Sequence, residues 1–214
     1  MTMIAVIDYG MGNLRSVAKA LEHVAPKARV AITQQPAEVL KADRVVFPGQ
    51  SAIRDAMREL VASGLVDAVT QAALNKPFLG MCLGPQALLD FSEENGGIRC
   101  LGILPGQVLR FPADLRDPVT GQRAKIPHMG WNQVHQTMAH PLWKDIPQDS
   151  RFYFVHSFYL KPAVDMMVAG LTCYGFHFAS AIAQRNIFGV QFHPEKSAQP
   201  GLQLLANFAS WNPG

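Results

Sequence analysis

The chain is poor in cysteine and in charge. Its 214 residues hold three cysteines, Cys82, Cys100 and Cys173, an odd number with no C-x-x-C spacing. That usage excludes a disulfide framework and a cysteine-rich zinc site, and it fits a reducing compartment. Only 16% of residues are charged, the net charge is +3, and no run of Lys and Arg is interleaved with aromatics, so nucleic-acid binding has no support. No apolar run approaches the roughly 18 residues of a membrane span. No basic segment or small-residue cleavage site precedes the first apolar run, Ile4 to Ile7, and the expected address is the cytoplasm. Internal repeats, low-complexity tracts and linkers are also missing. What is present in quantity is apolar: 49% hydrophobic residues, enough to bury one core without staples, so residues 1–214 read as a single domain.

Short β-rich runs alternate with helical periodicities. Ile4 to Ile7 reads as a strand, Leu14, Val17, Ala18 and Leu21 recur at helical spacing, and Arg29 to Thr33 and Val45 to Phe47 are again strands. Helical patterns over Ala52 to Val61 and Leu65 to Leu74 lead into Pro77 to Met81, a strand that stops at Cys82. This alternation predicts an α/β fold with a mostly parallel central sheet and helices on both faces. After Gly97 the texture changes to short strands with turns at Asp117-Pro118 and Thr120-Gly121, which predicts a small antiparallel appendage. Strands over Ala179 to Ala183 and Ile187 to Phe192 and a helix over Leu202 to Trp211 return to the core.

Gly80-Met81-Cys82-Leu83-Gly84 has the G-x-C-x-G form of a nucleophile elbow, in which glycines flank a residue held in a sharp strand-to-helix turn. The helix that follows turns its N–H groups toward the sulfur and favours the thiolate, and Pro85 suits its first turn. A thiolate of this kind needs an acid–base partner. His193, in Gln191-Phe192-His193-Pro194-Glu195-Lys196, follows an apolar strand, and Glu195 lies two residues on with rigid Pro194 between, placed to orient the imidazole. Cys82, His193 and Glu195 are the candidate catalytic triad. An oxyanion hole is expected from the N–H groups of Leu83 and of Gln50, in the turn Pro48-Gly49-Gln50-Ser51 after a strand. Cys100 and Cys173 are read as small buried hydrophobes, and His23, His135, His140 and His177 as structural or surface residues. His128 and His156 stay open.

These residues, in this order and spacing, resemble the class I, or triad-type, glutamine amidotransferases. The blocks Asp8-Tyr9-Gly10-Met11-Gly12-Asn13-Leu14, His128-Met129-Gly130-Trp131-Asn132, Tyr153-Phe154-Val155-His156-Ser157 and Gln191 to Ser197 sharpen the resemblance to the glutaminase subunits of imidazole glycerol phosphate synthases. The resemblance implies a flavodoxin-like core and hydrolysis of L-glutamine through a thioester on Cys82, with no metal or organic cofactor. It also implies a heterodimer in which ammonia passes to a (β/α)8-barrel cyclase subunit. It places Gln86 and Glu94, with Gly49 and Ser51 of the turn, against the substrate, and Asn13, Met129, Trp131 and Lys196 at the cyclase interface. Paralogues in the same family feed cyclase-like enzymes of amidino-sugar synthesis, and a non-catalytic scaffold on this fold is the remaining alternative. Three positions depart from the family pattern: Ser51 stands where glycine is common, Pro85 where methionine is common and Phe158 where tyrosine is common. A Cβ at Ser51 is expected to restrict the peptide flip that completes the oxyanion hole, and so to lower basal activity. Family behaviour further implies that glutaminase activity stays nearly silent until the cyclase binds its nucleotide ligand.

Overall fold

The computed structural model describes residues 1–117 and 120–213. Strand β1 (Met3–Ile7) is followed by helix α1 (Leu14–Val24), β2 (Arg29–Thr33), α2 (Pro36–Lys41), β3 (Arg44–Phe47), α3 (Ile53–Ala62), α4 (Val66–Asn75), β4 (Phe78–Met81) and α5 (Leu83–Leu88). Short strands β5 (Phe91–Ser92), β6 (Ile98–Arg99) and β7 (Gly106–Arg110) precede β8 (His128–Gln133) and β9 (His135–Gln136). The chain closes with β10 (Arg151–His156), β11 (Phe158–Pro162), β12 (Val168–Tyr174), β13 (Phe176–Gln184), β14 (Ile187–Val190) and α6 (Ala198–Ser210).

The main sheet runs in the order β2-β1-β3-β4-β14-β13-β11-β7-β5-β6, with β12 added on β13 and β9 on β12. From β2 to β14 every pairing is parallel. Beyond β14 the pairings through β13, β11 and β7 are antiparallel. A separate antiparallel ribbon pairs β8 with β10, from His128 opposite His156 to Gln133 opposite Arg151.

Both faces of the parallel half are covered, which explains its continuous apolar runs. Ala5 and Ile7 of β1 and Val45 and Phe47 of β3 enter one core with Ala56 and Leu60 of α3 and Ala68 and Val69 of α4. Their alternates Ile4, Val6 and Val46 enter a second core with Val17 and Leu21 of α1 and Leu204 and Phe208 of α6. The chain moves from β1 out to β2 and then back across to β3, so the sheet has a switch point beside β1 and β3. The carboxyl ends of β1, β3, β4 and β14 meet on one edge, where ligands of open α/β sheets bind.

The sequence-based element limits hold within a residue or two in the parallel half. Three elements differ more, among them β13, which starts at Phe176 rather than Ala179. Helix α2 escapes the periodicity because only Val39 of its six residues is buried. Helix α6 begins at Ala198 rather than Leu202: Gln199-Pro200-Gly201 reads as a turn, but Pro200 needs no N–H in a first helical turn, and a Cβ on Gly201 would meet the Pro194 carbonyl. Of the expected turns, Pro118 lies outside the described residues. At Thr120-Gly121 the chain does reverse, with Gly121 N–H donating to the Asp117 carbonyl at 2.9 Å and Arg116 bridging Arg123. Among the described residues no helix is long and apolar enough to cross a membrane, and no group of three or more His, Cys, Asp or Glu is placed to hold a metal ion.

Candidate active site

Cys82 stands between β4 and α5 with φ 55° and ψ −92°, a strained conformation for a residue with a side chain. Two glycines make the turn sterically possible. A Cβ on Gly80 would lie 2.9 Å from the Pro85 nitrogen, and one on Gly84 would run into the Phe47 carbonyl oxygen. The Cys82 N–H donates to the Val190 carbonyl at 2.8 Å, continuing the β4–β14 ladder one step and fixing the elbow against β14. With the backbone so held, the thiol lines a cavity of about 500 Å³, together with Gln50, Gln86, Glu94, His193 and Lys196.

His193 follows β14, and its N–H donates to the Tyr153 carbonyl at 2.9 Å. Nδ1 lies 2.9 Å from Glu195 Oε1, with side-chain exposures of 3% and 1%, so the pair is dry and strongly coupled. A carboxylate on Nδ1 leaves Nε2 as the nitrogen free to exchange a proton with a reacting group. Burial is the largest influence on His193 and opposes its charge. The charge and hydrogen-bonding capacity of Cys82, then Glu195, outweigh it and raise the pKa to about 10. No hydrogen bond of regular geometry closes on Nε2, however. The raised value favours the protonated form of His193.

The turn after β3 does not present the donor expected of it. Leu83 N–H faces the Gly49 carbonyl at 3.5 Å. Because C=O and N–H of one trans peptide point in opposite directions, the Gln50 N–H is turned away from Leu83, and the pair does not converge in this conformation. Turning over the Gly49–Gln50 peptide would exchange the carbonyl for the N–H. Ser51, next in the chain, adopts φ 109°, a region that favours glycine.

The other predicted substrate contacts flank Cys82. Gln86 is buried and donates to Gln191 Oε1 at 2.9 Å and to the Phe158 carbonyl at 3.4 Å. Glu94 Oε2 accepts from the Ile53 N–H at 2.8 Å, capping the first turn of α3 while lining the cavity. Of the predicted interface residues, Met129 and Trp131 are 63% and 43% exposed on β8, Lys196 is exposed at the cavity rim, and Asn13 caps α1 through Ser16 N–H at 3.4 Å. Asn13 also borders a small cleft with His193 and Glu195, whereas Met129 lines a different cavity, with Arg110 and Tyr174.

Several contributors were not singled out by sequence reasoning. Tyr9 is buried and donates to the Pro48 carbonyl at 3.0 Å, and it packs where a Cβ on Gly49 would stand. Burial first, and Cys82 second, push its pKa up, so it keeps its proton. Gln191 donates to the Cys82 carbonyl at 3.3 Å, and Ser197 Oγ bridges the His193 carbonyl and the Tyr153 N–H. The only sequence signal for these residues was their membership of the family blocks. Cys173 corrects an expectation: it is exposed, because β12 alternates and turns Thr172 inward instead. Cys100 is half-buried, with burial first and then Asp90 and Glu94 pushing its thiol up to about 12.

A thiol on a strained strand-to-helix elbow thus shares one cavity with a histidine held by a buried carboxylate, an arrangement suited to nucleophilic thiol chemistry. The family model for class I glutamine amidotransferases matches residues 5–210, and the chain belongs to that family. Within it, the chain is 61% identical to the imidazole glycerol phosphate synthase subunit HisH of Nitrosospira multiformis, over the full length of both. It is 60% identical to the same subunit from Nitrosococcus oceani, over 99% of each chain, and 57% identical to that from Thiobacillus denitrificans, over 99% and 92%. The chain is thus a member of the HisH family of glutamine amidotransferase subunits. Two solved glutamine amidotransferases, one of them from Thermotoga maritima, share the fold at 15% identity, with TM-scores of 0.69 and 0.61 over 97% and 93% of this chain and 99% and 78% of theirs.

Proposed function

We propose that the chain hydrolyses L-glutamine to glutamate and ammonia at Cys82, and that the ammonia passes to a (β/α)8-barrel cyclase subunit that forms imidazole glycerol phosphate in histidine biosynthesis. The observation that carries this reading is the Cys82, His193 and Glu195 constellation in a chain with full-length HisH relatives. Cys82 Sγ attacks the side-chain carbonyl carbon of glutamine, and the electron pair of the C=O bond moves to oxygen. Collapse of that intermediate breaks the C–N bond as His193 Nε2 delivers its proton, releasing ammonia and leaving a γ-glutamyl thioester. Water then adds while His193 takes back a proton, the C–S bond breaks, and glutamate leaves. Gln86 and Glu94, with Gly49 and Ser51, hold the substrate. No cofactor takes part in these steps.

Asn13, Met129, Trp131 and Lys196 are assigned to the cyclase interface, and the working complex is a cytoplasmic heterodimer. In the resting turn the Gly49 carbonyl occupies the place of the second oxyanion donor, so basal turnover is slow. Partner docking favours the turned peptide and raises the rate, which requires tighter binding to that state than to the resting one. Glutamate release should be measured for the chain alone, with the cyclase, and with the cyclase plus its ribonucleotide substrate. The expected result is strong stimulation in the last mixture and at least a thousandfold loss in Cys82→Ala, roughly the cost of removing a nucleophile. Turnover that survives Cys82→Ala would refute the site. Stimulation absent with a reactive Cys82 would refute the partner.

A further inference from the structure

Strand β8 turns Met129, Trp131 and Gln133 outward and His128 and Asn132 inward. Asn132 is fixed by two backbone bonds: Oδ1 accepts from Gln133 N–H at 2.8 Å, and Nδ2 donates to the Cys173 carbonyl at 2.9 Å. Its remaining amide hydrogen faces His128 Nε2 at 3.2 Å. His128 Nδ1 lies 2.9 Å from His156 Nε2, and His156 Nδ1 lies 2.7 Å from the Phe158 carbonyl. That carbonyl also receives the Gln86 amide, which in turn holds Gln191 against the Cys82 carbonyl.

This line has only one direction. A carbonyl only accepts, so His156 Nδ1 carries the hydrogen. Burial, then His128, keeps His156 neutral, with a pKa lowered to about 3, so its Nε2 accepts. His128 must then donate from Nδ1. Burial keeps it neutral too, at about 4, and its bare Nε2 takes the Asn132 hydrogen. The His128 ring is stacked on Tyr174 and Phe154, with centroids 4.0 and 4.8 Å away, so its plane is set independently. His156 and Phe158 line the Cys82 cavity, whereas Asn132 and His128 do not.

We propose that Asn132 and His128 are positioning residues for glutamine binding: acting through His156, they hold the Phe158 carbonyl, and with it Gln86, in the wall of the cavity. This rests on the reading of that cavity as the glutamine pocket. Met129 and Trp131 lie between the two residues on the opposite face of the same strand, so any displacement of β8 reaches the first two members of the line.

The test compares two substitutions of similar shape. His128→Asn places an amide donor where Nδ1 stands and preserves the bond to His156. His128→Leu packs better in the aromatic stack but donates nothing. Positioning predicts a KM for glutamine raised about tenfold in His128→Leu, with kcat changed less than about threefold, and a KM near wild type in His128→Asn. A packing role predicts the reverse order. In 15N spectra, His156 should stay the Nδ1–H tautomer throughout, with Nε2 shifted by an accepted hydrogen bond in wild type and His128→Asn and moved to the position of an unbonded imidazole nitrogen in His128→Leu. Should the His128 variants fail to fold, Asn132→Leu, at a half-buried position, should leave His128 Nε2 without its donor, move that nitrogen's resonance in the same way and raise KM in the same direction. Equal KM values for all variants, or a lower KM for Leu than for Asn at 128, would overturn the proposal. Cys82→Ala in the same assay separates this from the site reading: if it retains turnover, the pocket assignment falls, and if it is inactive while the His128 variants bind glutamine normally, only the positioning role falls.

Discussion

Ser51 carries a side chain at φ 109°, where the Cβ of an L-residue is crowded by its own backbone. The strain is worth on the order of 1 kcal/mol, and it sits one residue beyond the peptide whose carbonyl faces Leu83 N–H. Ser51→Gly removes the Cβ without touching Cys82, His193 or Glu195. The folded state should gain about 1 kcal/mol, raising Tm by roughly 2 to 4 °C for a chain of this size. Glycine also accepts a wider range of turn conformations, so basal glutamate release should rise several-fold. Unchanged basal release in Ser51→Gly would remove Ser51 as a restraint on the turn. Tyr9 works in the opposite sense at the same turn, since its hydroxyl tethers the Pro48 carbonyl at 3.0 Å and its retained proton keeps that tether in place.

At the level of elements, β3 and α6 are joined by one side chain. Arg44 opens β3 and is buried, and its Nε donates to the Phe208 carbonyl at 3.2 Å. Its Nη2 donates to the Trp211 carbonyl at 2.9 Å and to Asn212 Oδ1 at 2.7 Å. The last carbonyls of a helix have no partner within the helix, so the guanidinium supplies what the C-terminus of α6 lacks. Arg44→Met keeps the stem and removes all three bonds. A loss of about 2 kcal/mol is expected, or roughly 4 to 8 °C in Tm, with Arg44→Lys intermediate because a single ammonium cannot span the fork. Hydrogen exchange in residues 204–211 should accelerate in Arg44→Met, and a slow, wild-type rate there would mean the helix end is held by packing alone. Nothing in the sequence around Arg44 announces this pairing, which joins residues 164 or more apart. The parallel strands were legible because burial on both faces leaves unbroken apolar runs, and the elbow because glycine at positions 80 and 84 is a steric necessity that a sequence records. The β8–β10 ribbon and the histidine line were not, since each depends on a register that only tertiary contacts select. The site was legible as residue types and order. The orientation of the Gly49–Gln50 peptide was not, because either face of a peptide unit satisfies the same sequence.

For the molecule as a whole, two buried histidines and the half-buried His140 are expected to set the acid limit of stability. Burial holds His128 and His140 at about 4, and burial together with His128 holds His156 at about 3, against about 6.5 in an unfolded chain. Below pH 6.5 the unfolded state binds protons that the folded state refuses, so these three groups destabilise the fold progressively as the pH falls from 6.5 toward 4. His193 has the opposite sign. Its raised pKa contributes stability that is complete below about 6.5 and is lost as the pH climbs toward 10. Stability should therefore decline on both sides of neutral pH, more steeply on the acid side, where three groups act together. His140 isolates the effect, since it lies away from the Cys82 cavity, packed on Phe188 and Trp211 at 4.6 and 5.2 Å, with Nδ1 accepting from Leu142 N–H at 3.2 Å. His140→Asn retains an acceptor for that N–H and removes the titration. Thermal melts at pH 7.5 and 4.5 should show a smaller acid-induced drop in the variant, by about 2 kcal/mol or roughly 4 to 8 °C, even if its Tm at pH 7.5 is lower through lost ring packing. Equal drops in wild type and variant would mean that His140 takes up its proton in the folded state at little cost, and that the acid limit is set elsewhere.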